Sequence, residues 1–112
     1  MMKIIISGQE KIIKKMKLLQ KQLKNAQSYI KEFGWNDQKS EILYIFFQNS
    51  FYGAFDSGIT NMSLFESLKT KGFTEYSIKK VTKELHDEGY LTQIGKSPIT
   101  YILNDEIAAR FE

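Results

Sequence analysis

The 112-residue chain contains no cysteine, one histidine, one proline and one arginine. Without cysteine it can form neither disulfides nor thiolate metal sites, and the single histidine leaves only metal sites dominated by carboxylates. His86 lies beside acidic neighbours. We interpret it as a partly exposed structural residue, with a pH sensor as the alternative.

Long hydrophobic runs are also missing. No apolar stretch approaches the roughly 20 residues that cross a bilayer, and the apolar segment at residues 1–7 is too short for a signal-peptide core. We therefore expect a cytoplasmic protein with no membrane partner.

Recognisable catalytic patterns are absent from the sequence. It has no glycine-rich phosphate loop, no metal-ligand spacing and no Ser/His/acid set. The acid pairs Asp87-Glu88 and Asp105-Glu106 are adjacent on expected helices, so their members point to different sides. We predict a non-enzymatic protein with no catalytic residues, no metal and no cofactor.

Charge is divided unevenly along the chain, whose formal net charge is +3. Residues 1–33 carry eight lysines and two glutamates, a net +6, whereas residues 34–112 carry eight basic and eleven acidic residues, a net −3. Any binding of a polyanion by the second part must therefore depend on local placement of lysines.

Apolar residues in the first third recur at alternating intervals of four and three, which is the spacing of a heptad seam. We expect the short apolar start to be a strand or an extended arm. Gly8 should then break the chain, and a long amphipathic helix should begin near Gln9 or Glu10 and end at Phe33-Gly34. The lysines of this helix fall on its far side. The seam consists of Ile12, Met16, Leu19, Leu23, Ala26, Ile30 and Phe33.

Three uses of this seam are open: pairing with a second copy as a homodimer, packing on the chain's own globular part, or binding a foreign protein. Three heptads are barely enough for an isolated coiled coil, so a dimer would also use the domain surface. Binding to a membrane is a weaker interpretation because the seam is narrow and lacks an aromatic belt. We predict that residues 1–35 serve dimerisation and that residues 36–112 form the functional domain.

The second part opens with a helix capped by Asn36 or Asp37 that ends near Ser50 or Phe51. The aromatic segment 51–58 follows. It either covers the core or offers a contact surface to a second subunit or a partner protein. A short strand at Ile59-Thr60 and a second helix complete this region. Thr60, Asn61 or Ser63 is expected to cap the helix, and Gly72 closes it.

A third helix follows Thr74, a good N-cap, with Ile78, Val81 and Leu85 at the spacing of one buried face. A rotation of about 100° per residue gives it an outward face of hydroxyl and ammonium groups, and acids come only at its far end. The outward set is Tyr76, Lys80 and Lys83, with Ser77 and Lys79 at its borders.

The run S-I-K-K-V-T-K-E-L-H-D-E-G-Y-L-T-Q-I, then G-K-S-P, then I-T-Y-I-L, indicates a helix, a glycine stop and a hairpin. A short C-terminal helix with Ile107 and Phe111 packing back follows. Across residues 37–111 the sequence resembles the winged-helix superfamily, in the manner of small bacterial and mobile-element regulators. The resemblance implies an α+β, mainly α fold: a winged helix-turn-helix domain preceded by the long N-terminal amphipathic helix.

The same resemblance implies that Lys96, at the tip of the wing, lies near phosphate or the minor groove. It implies DNA contacts for Tyr76, Ser77, Lys79, Lys80, Lys83, Lys96 and Ser97. The sequence departs from the usual pattern because its only arginine is Arg110, in the tail, and arginine is the commonest reader of guanine. Affinity would then depend on shape, phosphate contacts and a second subunit.

These observations predict a dimeric winged-helix protein that binds duplex DNA. Its role would be that of a transcriptional repressor or autoregulator, or of an accessory protein in plasmid or phage partition or replication. The alternative is a winged helix that binds a partner protein through segment 51–58 or the N-terminal helix. The net −3 of residues 34–112 and the scarcity of arginine favour this alternative.

Overall fold

The computed structural model describes residues 2–53 and 58–111, with side chains from residue 14 onward. The fold is α+β and mainly helical, as expected, with one small antiparallel sheet whose strand order is β1-β3-β2. The elements are α1 (Met2–Lys31), α2 (Asp37–Tyr52), β1 (Ile59–Thr60), α3 (Asn61–Leu68), a 3-10 turn (Lys69–Lys71), α4 (Glu75–Asp87), β2 (Leu91–Lys96), β3 (Ile99–Leu103) and α5 (Asp105–Ala109).

The start of α1 corrects the expectation of a strand or extended arm. The helix begins at Met2 and continues through Gly8 to Lys31. A glycine inside a helix costs only about 1 kcal/mol relative to alanine, and the neighbouring isoleucine and lysine residues are compatible with helix. A single glycine therefore does not end the element.

Three helices begin where the sequence predicts a cap. The side chain of Asn36 accepts a hydrogen bond from the backbone N–H of Lys39, and that of Thr60 accepts one from Ser63. Thr74 and Ser77 form a reciprocal capping box at the start of α4. Each cap satisfies a backbone donor that the first helical turn leaves without a partner.

The core lies between α2, α4 and the inner face of the sheet. Four residues on two successive turns of α2 are fully buried, and α4 contributes the apolar face that its sequence predicts. Leu91 and Leu103 bring the strands onto the same cluster. The buried residues of the two helices are Ile42, Leu43, Phe46, Phe47, Ile78, Val81 and Leu85.

The C-terminal half of α1 belongs to this core. Leu23, Ala26 and Ile30 are buried against it, and Gln22 Nε2 donates a hydrogen bond to the backbone oxygen of Phe111 at 2.9 Å. Three members of the expected dimerisation seam therefore pack against the chain's own core. Heptad periodicity predicts that a helix face is buried but does not say what covers it.

The part of α1 before Leu23 extends beyond the core. Met16 and Leu18 are each more than half exposed, and Leu19 is half-buried. The side chain of Ile12, the first seam residue, lies outside the described residues. The surface left for a second copy is thus limited to the N-terminal half of the helix.

An aromatic cluster joins α1, α2, the start of β2 and the C-terminus. Phe33 stacks on Trp35 with ring centroids 4.3 Å apart, and Tyr90 meets both rings edge-on. Phe111 packs against Tyr29, Phe47 and Phe51 at centroid distances of 5.4, 5.1 and 6.2 Å. The expected return of the C-terminus onto the core is confirmed.

Segment 51–58 is described only at its ends. Phe51 is half-buried in the aromatic cluster, which fits the interpretation that it covers the core, whereas Tyr52 is exposed. Gly53 closes α2 in the left-handed conformation. Phe55, which would have been part of a contact surface, lies outside the described residues.

Lys39 ties α2 to the end of α4. Its side chain is only 11% exposed, and Nζ lies 2.9 Å from Glu88 Oε1 and 3.8 Å from Glu84 Oε2. The same ammonium sits 4.2 Å from the centroid of the Trp35 ring. Two carboxylates at the acidic end of α4 are thus paired with a lysine of α2.

Within the described part of the chain, no helix has an apolar stretch sufficient to cross a bilayer.

Candidate nucleic-acid interface

The exposed face of α4 contains most of the residues predicted to contact DNA. Burial of Ile78 and Leu85 fixes the rotation of the helix and turns its other side outward. Tyr76 is 76% exposed, and Lys79, Lys80 and Lys83 are exposed along the next two turns. The helix therefore presents one phenol and three ammonium groups on its N-terminal two thirds.

Ser77 differs from the other predicted contacts. Its Oγ accepts a hydrogen bond from the Thr74 backbone N–H at 3.0 Å and lies 2.9 Å from the Thr74 carbonyl oxygen. The hydroxyl is thus committed to the capping box and positions the helix start. The sequence indicated a cap at Thr74, but the usual capping box has Glu or Gln where Ser77 stands, so the pattern gave no signal for the role of Ser77.

The β2–β3 hairpin begins directly after Tyr90 and carries the remaining predicted contacts at its tip. Leu91 pairs with Leu103, and the register shifts between Gln93 and Gly95, so that Lys96 pairs with Ile99. Lys96 and Ser97 are both exposed. Because the bulge re-aims the end of the hairpin, it sets the direction in which Lys96 projects.

The lysines predicted to contact DNA are not paired with acidic side chains of the described residues. Among residues 14–53 and 58–111, none of Lys79, Lys80, Lys83 and Lys96 lies within 4.0 Å of a carboxylate oxygen. By contrast, Lys69 pairs with Glu66 and Lys71 with Glu41. The lysines of α4 and of the hairpin tip are free to meet an external anion.

Acidic side chains on α4 stand at its two ends. Glu84 and Glu88 face Lys39 on α2, and Asp87 lies beside His86, with Oδ1 3.3 Å from Nδ1. Glu75, in the first turn, is exposed. Sequence reasoning did not weigh Glu75, although its carboxylate stands next to Tyr76 and repels phosphate at that end.

A groove of about 250 Å³ separates the starts of α3 and α4. Met62, 75% exposed, and the half-buried Phe65 form its apolar wall, and Glu75 and Lys79 form its polar edge. The fully buried Thr82 links the two helices: its Oγ1 lies 3.0 Å from Asn61 Oδ1 on α3 and 2.9 Å from the Ile78 carbonyl oxygen on α4. Sequence reasoning missed this groove because it depends on how two helices cross.

Two tyrosines near α4, the buried Tyr101 and the half-buried Tyr90, have pKa values raised above the ordinary value. Burial raises the pKa of Tyr101, and the nearby charge of Asp87 raises it further. The pKa of Tyr90 is raised by burial first and then by Tyr29 and Glu88. Both phenols therefore stay neutral around pH 7 and add no charge to the surface.

In the part of the chain that the structure describes, no group of three or more His, Cys, Asp or Glu side chains could hold a metal ion. Comparison of the chain with models of known protein families, with curated proteins and with solved structures finds no match.

Proposed function

We propose that the chain is a winged-helix protein that binds duplex DNA, with α4 as its reading helix and the β2–β3 hairpin as its wing. The order of elements supports this: α2, β1, α3, α4 and the hairpin follow one another, and β1 completes a three-stranded antiparallel sheet. In this geometry the N-terminal part of α4 enters the major groove and the hairpin lies beside it.

The observation that carries the proposal is the uncovered, unpaired lysine face of α4. Lys79, Lys80 and Lys83 are exposed, and no carboxylate among the described residues neutralises them. Each lysine that reaches a phosphate releases counterions, which favours binding at low salt. Glu84 and Glu88, which would oppose it, face Lys39.

Sequence readout by this surface is limited. Lysine can reach guanine O6 or N7, but it lacks the planar two-pronged donor of arginine. Arg110 follows α5 and belongs to neither α4 nor the hairpin. Phosphate contacts and DNA shape therefore supply most of the affinity, and Tyr76 offers the one aromatic group on the face.

We further propose a homodimer, in which two reading helices meet successive major grooves about 34 Å apart. The projecting half of α1, with Met16 exposed and Leu19 half-buried, is the surface available for pairing. The biological role is that of a repressor or autoregulator, or of an accessory protein in partition or replication of a mobile element.

Binding to a partner protein is the second candidate. Exposed apolar side chains favour it: Met62 beside the α3–α4 groove and Leu18 on α1 are both more than half exposed. Such side chains are enriched where proteins meet. This candidate predicts no retention of the protein on duplex DNA at about 0.1 M salt, where non-specific DNA binders remain bound.

The proposal is tested by removing the four lysines of the reading surface. A variant with Lys79→Ala, Lys80→Ala, Lys83→Ala and Lys96→Ala should bind duplex DNA more weakly. If these lysines make about three phosphate contacts, the slope of log K against log salt becomes shallower by about 2.7, at about 0.9 per contact. Fluorescence anisotropy with a labelled duplex between about 50 and 200 mM salt measures this slope.

Arg110→Ala is the control for loss of a positive charge outside the reading surface, because Arg110 is exposed at the end of α5. We expect its slope to match that of the unmodified protein. An unchanged slope in the four-lysine variant would remove α4 and the hairpin from the interface.

A further inference from the structure

A second basic surface runs along α1 and is independent of α4. Four lysines recur at intervals of three, four and three residues, so they follow one side of the helix over about 15 Å at 1.5 Å per residue. All four are exposed. We call this set the lysine stripe: Lys14, Lys17, Lys21 and Lys24.

The lysine stripe points away from the rest of the protein. At about 100° per residue, its four positions cluster on the side of α1 opposite Ala26 and Ile30, which are buried against the core. Asn25 and Ser28 share that outer side and are also exposed. Nothing in the described part of the chain covers this surface.

No acid compensates the lysine stripe. Between Glu10 and Glu32 the sequence contains seven lysines and no aspartate or glutamate, and no ion pair among the described residues involves the stripe. Lysines three or four residues apart on a helix repel one another, and ordinary exposed helices relieve this repulsion with acidic partners. An external polyanion would offset this repulsion, because each ammonium group would then lie near a negative charge.

We propose that the lysine stripe is a second phosphate-binding surface that holds the backbone of nucleic acid beyond the segment read by α4. This inference rests on the proposed DNA-binding function and extends its footprint along α1. Flexible ammonium groups on one straight edge suit contacts with a regular row of phosphates and carry no sequence information.

An anionic membrane is the competing polyanion, and the geometry disfavours it. A helix lying on a membrane inserts its apolar face, with lysines at the borders of that face. On α1, Leu19 lies on the same side as Leu23 and Ile30, and this is the side that the core occupies. A bilayer on that side would collide with α2, whereas the outer side is open to a rod-shaped polyanion.

The test replaces the stripe with Lys14→Gln, Lys17→Gln, Lys21→Gln and Lys24→Gln, because glutamine and lysine have similar helix propensities. The probe is a labelled random-sequence duplex of about 30 base pairs, and circular dichroism confirms that the variant is folded. If two to three lysines contact phosphate, the salt slope becomes shallower by about 2–3, at about 0.9 per contact. A Lys→Arg version of all four positions keeps the charge and should keep the slope.

The four-lysine variant of α4 and the hairpin separates this inference from the proposed function. The inference is supported when the glutamine variant and the α4 variant each reduce the slope and their combination reduces it further. It is overturned, with the proposed function intact, when only the α4 variant has an effect. When neither variant changes duplex binding, both ideas fail. Stripe-dependent binding to phosphatidylserine vesicles without stripe-dependent binding to duplex would overturn it in favour of a membrane.

Discussion

Replacing Phe47 by alanine is expected to lower the free energy of unfolding by about 3–5 kcal/mol. Phe47 is fully buried, and its ring lies 6.2, 5.7 and 5.1 Å from those of Tyr29, Phe51 and Phe111. The truncation removes apolar contacts to α1, α2 and the C-terminus at once. A domain of this size has a stability of about 5–15 kcal/mol, so a large share would be lost.

Urea denaturation followed through the fluorescence of Trp35 measures this loss, because the single tryptophan stacks on Phe33 at the edge of the same cluster. Phe51→Ala is the matched control. Phe51 is half-buried on the same helix, so its truncation should cost clearly less. Equal costs for the two variants would mean that α1 and the C-terminus do not close over Phe47.

Gly58→Ala is expected to lower the free energy of unfolding by about 2–5 kcal/mol, from backbone strain and overpacking together. Gly58 has φ +84°, a left-handed conformation that favours glycine. A Cβ there would stand 2.7 Å from Thr100 Cγ2, 2.8 Å from Ile94 Cδ1 and 2.9 Å from the Tyr101 carbonyl oxygen. The added methyl would push β1 away from β3, with which it pairs.

Gly89→Ala separates the two causes. Gly89 has φ +88°, almost the same backbone conformation, but a Cβ there would meet no heavy atom within 4 Å. Only the conformational cost of about 1–2 kcal/mol applies. We therefore expect Gly58→Ala to have a lower midpoint of thermal unfolding than Gly89→Ala. Equal midpoints would show that Gly58 does not lie in close contact with β3.

Features that depend on a few neighbouring residues could be predicted from the sequence. Asn36, Thr60 and Thr74 were candidate caps because an N-cap needs only a short polar side chain before an apolar periodic segment. The hairpin after Tyr90 was predicted for a similar reason, since a glycine stop, two alternating strands and a Gly/Pro turn lie within 15 residues. The apolar face of α4 followed from its period.

Features that depend on distant contacts could not be predicted. Lys39 looks like an ordinary surface lysine until the fold brings Glu88, 49 residues away, to its ammonium. The heptad seam on α1 was sound as a pattern, but whether Leu23 and Ile30 meet a second copy or the chain's own core depends on where α2 lies. The bulge between Gln93 and Gly95 likewise depends on its partner strand.

The candidate DNA-binding surface could be predicted from the sequence only in part. Helical periodicity was enough to predict that Tyr76, Lys80 and Lys83 face outward, and all three are exposed. A helical wheel does not show that Ser77 takes part in the N-terminal cap, which is a local contact. It also does not show that Glu84 and Glu88 face Lys39, which are tertiary contacts. Because of these contacts, the ammonium groups of the lysines, more than the hydroxyl groups, are the groups that this face offers to a ligand.

The most direct test of DNA binding by α4 and the hairpin is to record backbone amide shifts of the labelled full chain while an unlabelled duplex is added. We expect the largest shifts at residues 75–83 and 95–97, with small shifts across the buried face of α2. Shifts confined to other parts of the chain, with residues 75–83 and 95–97 unmoved at saturating duplex, would contradict the account.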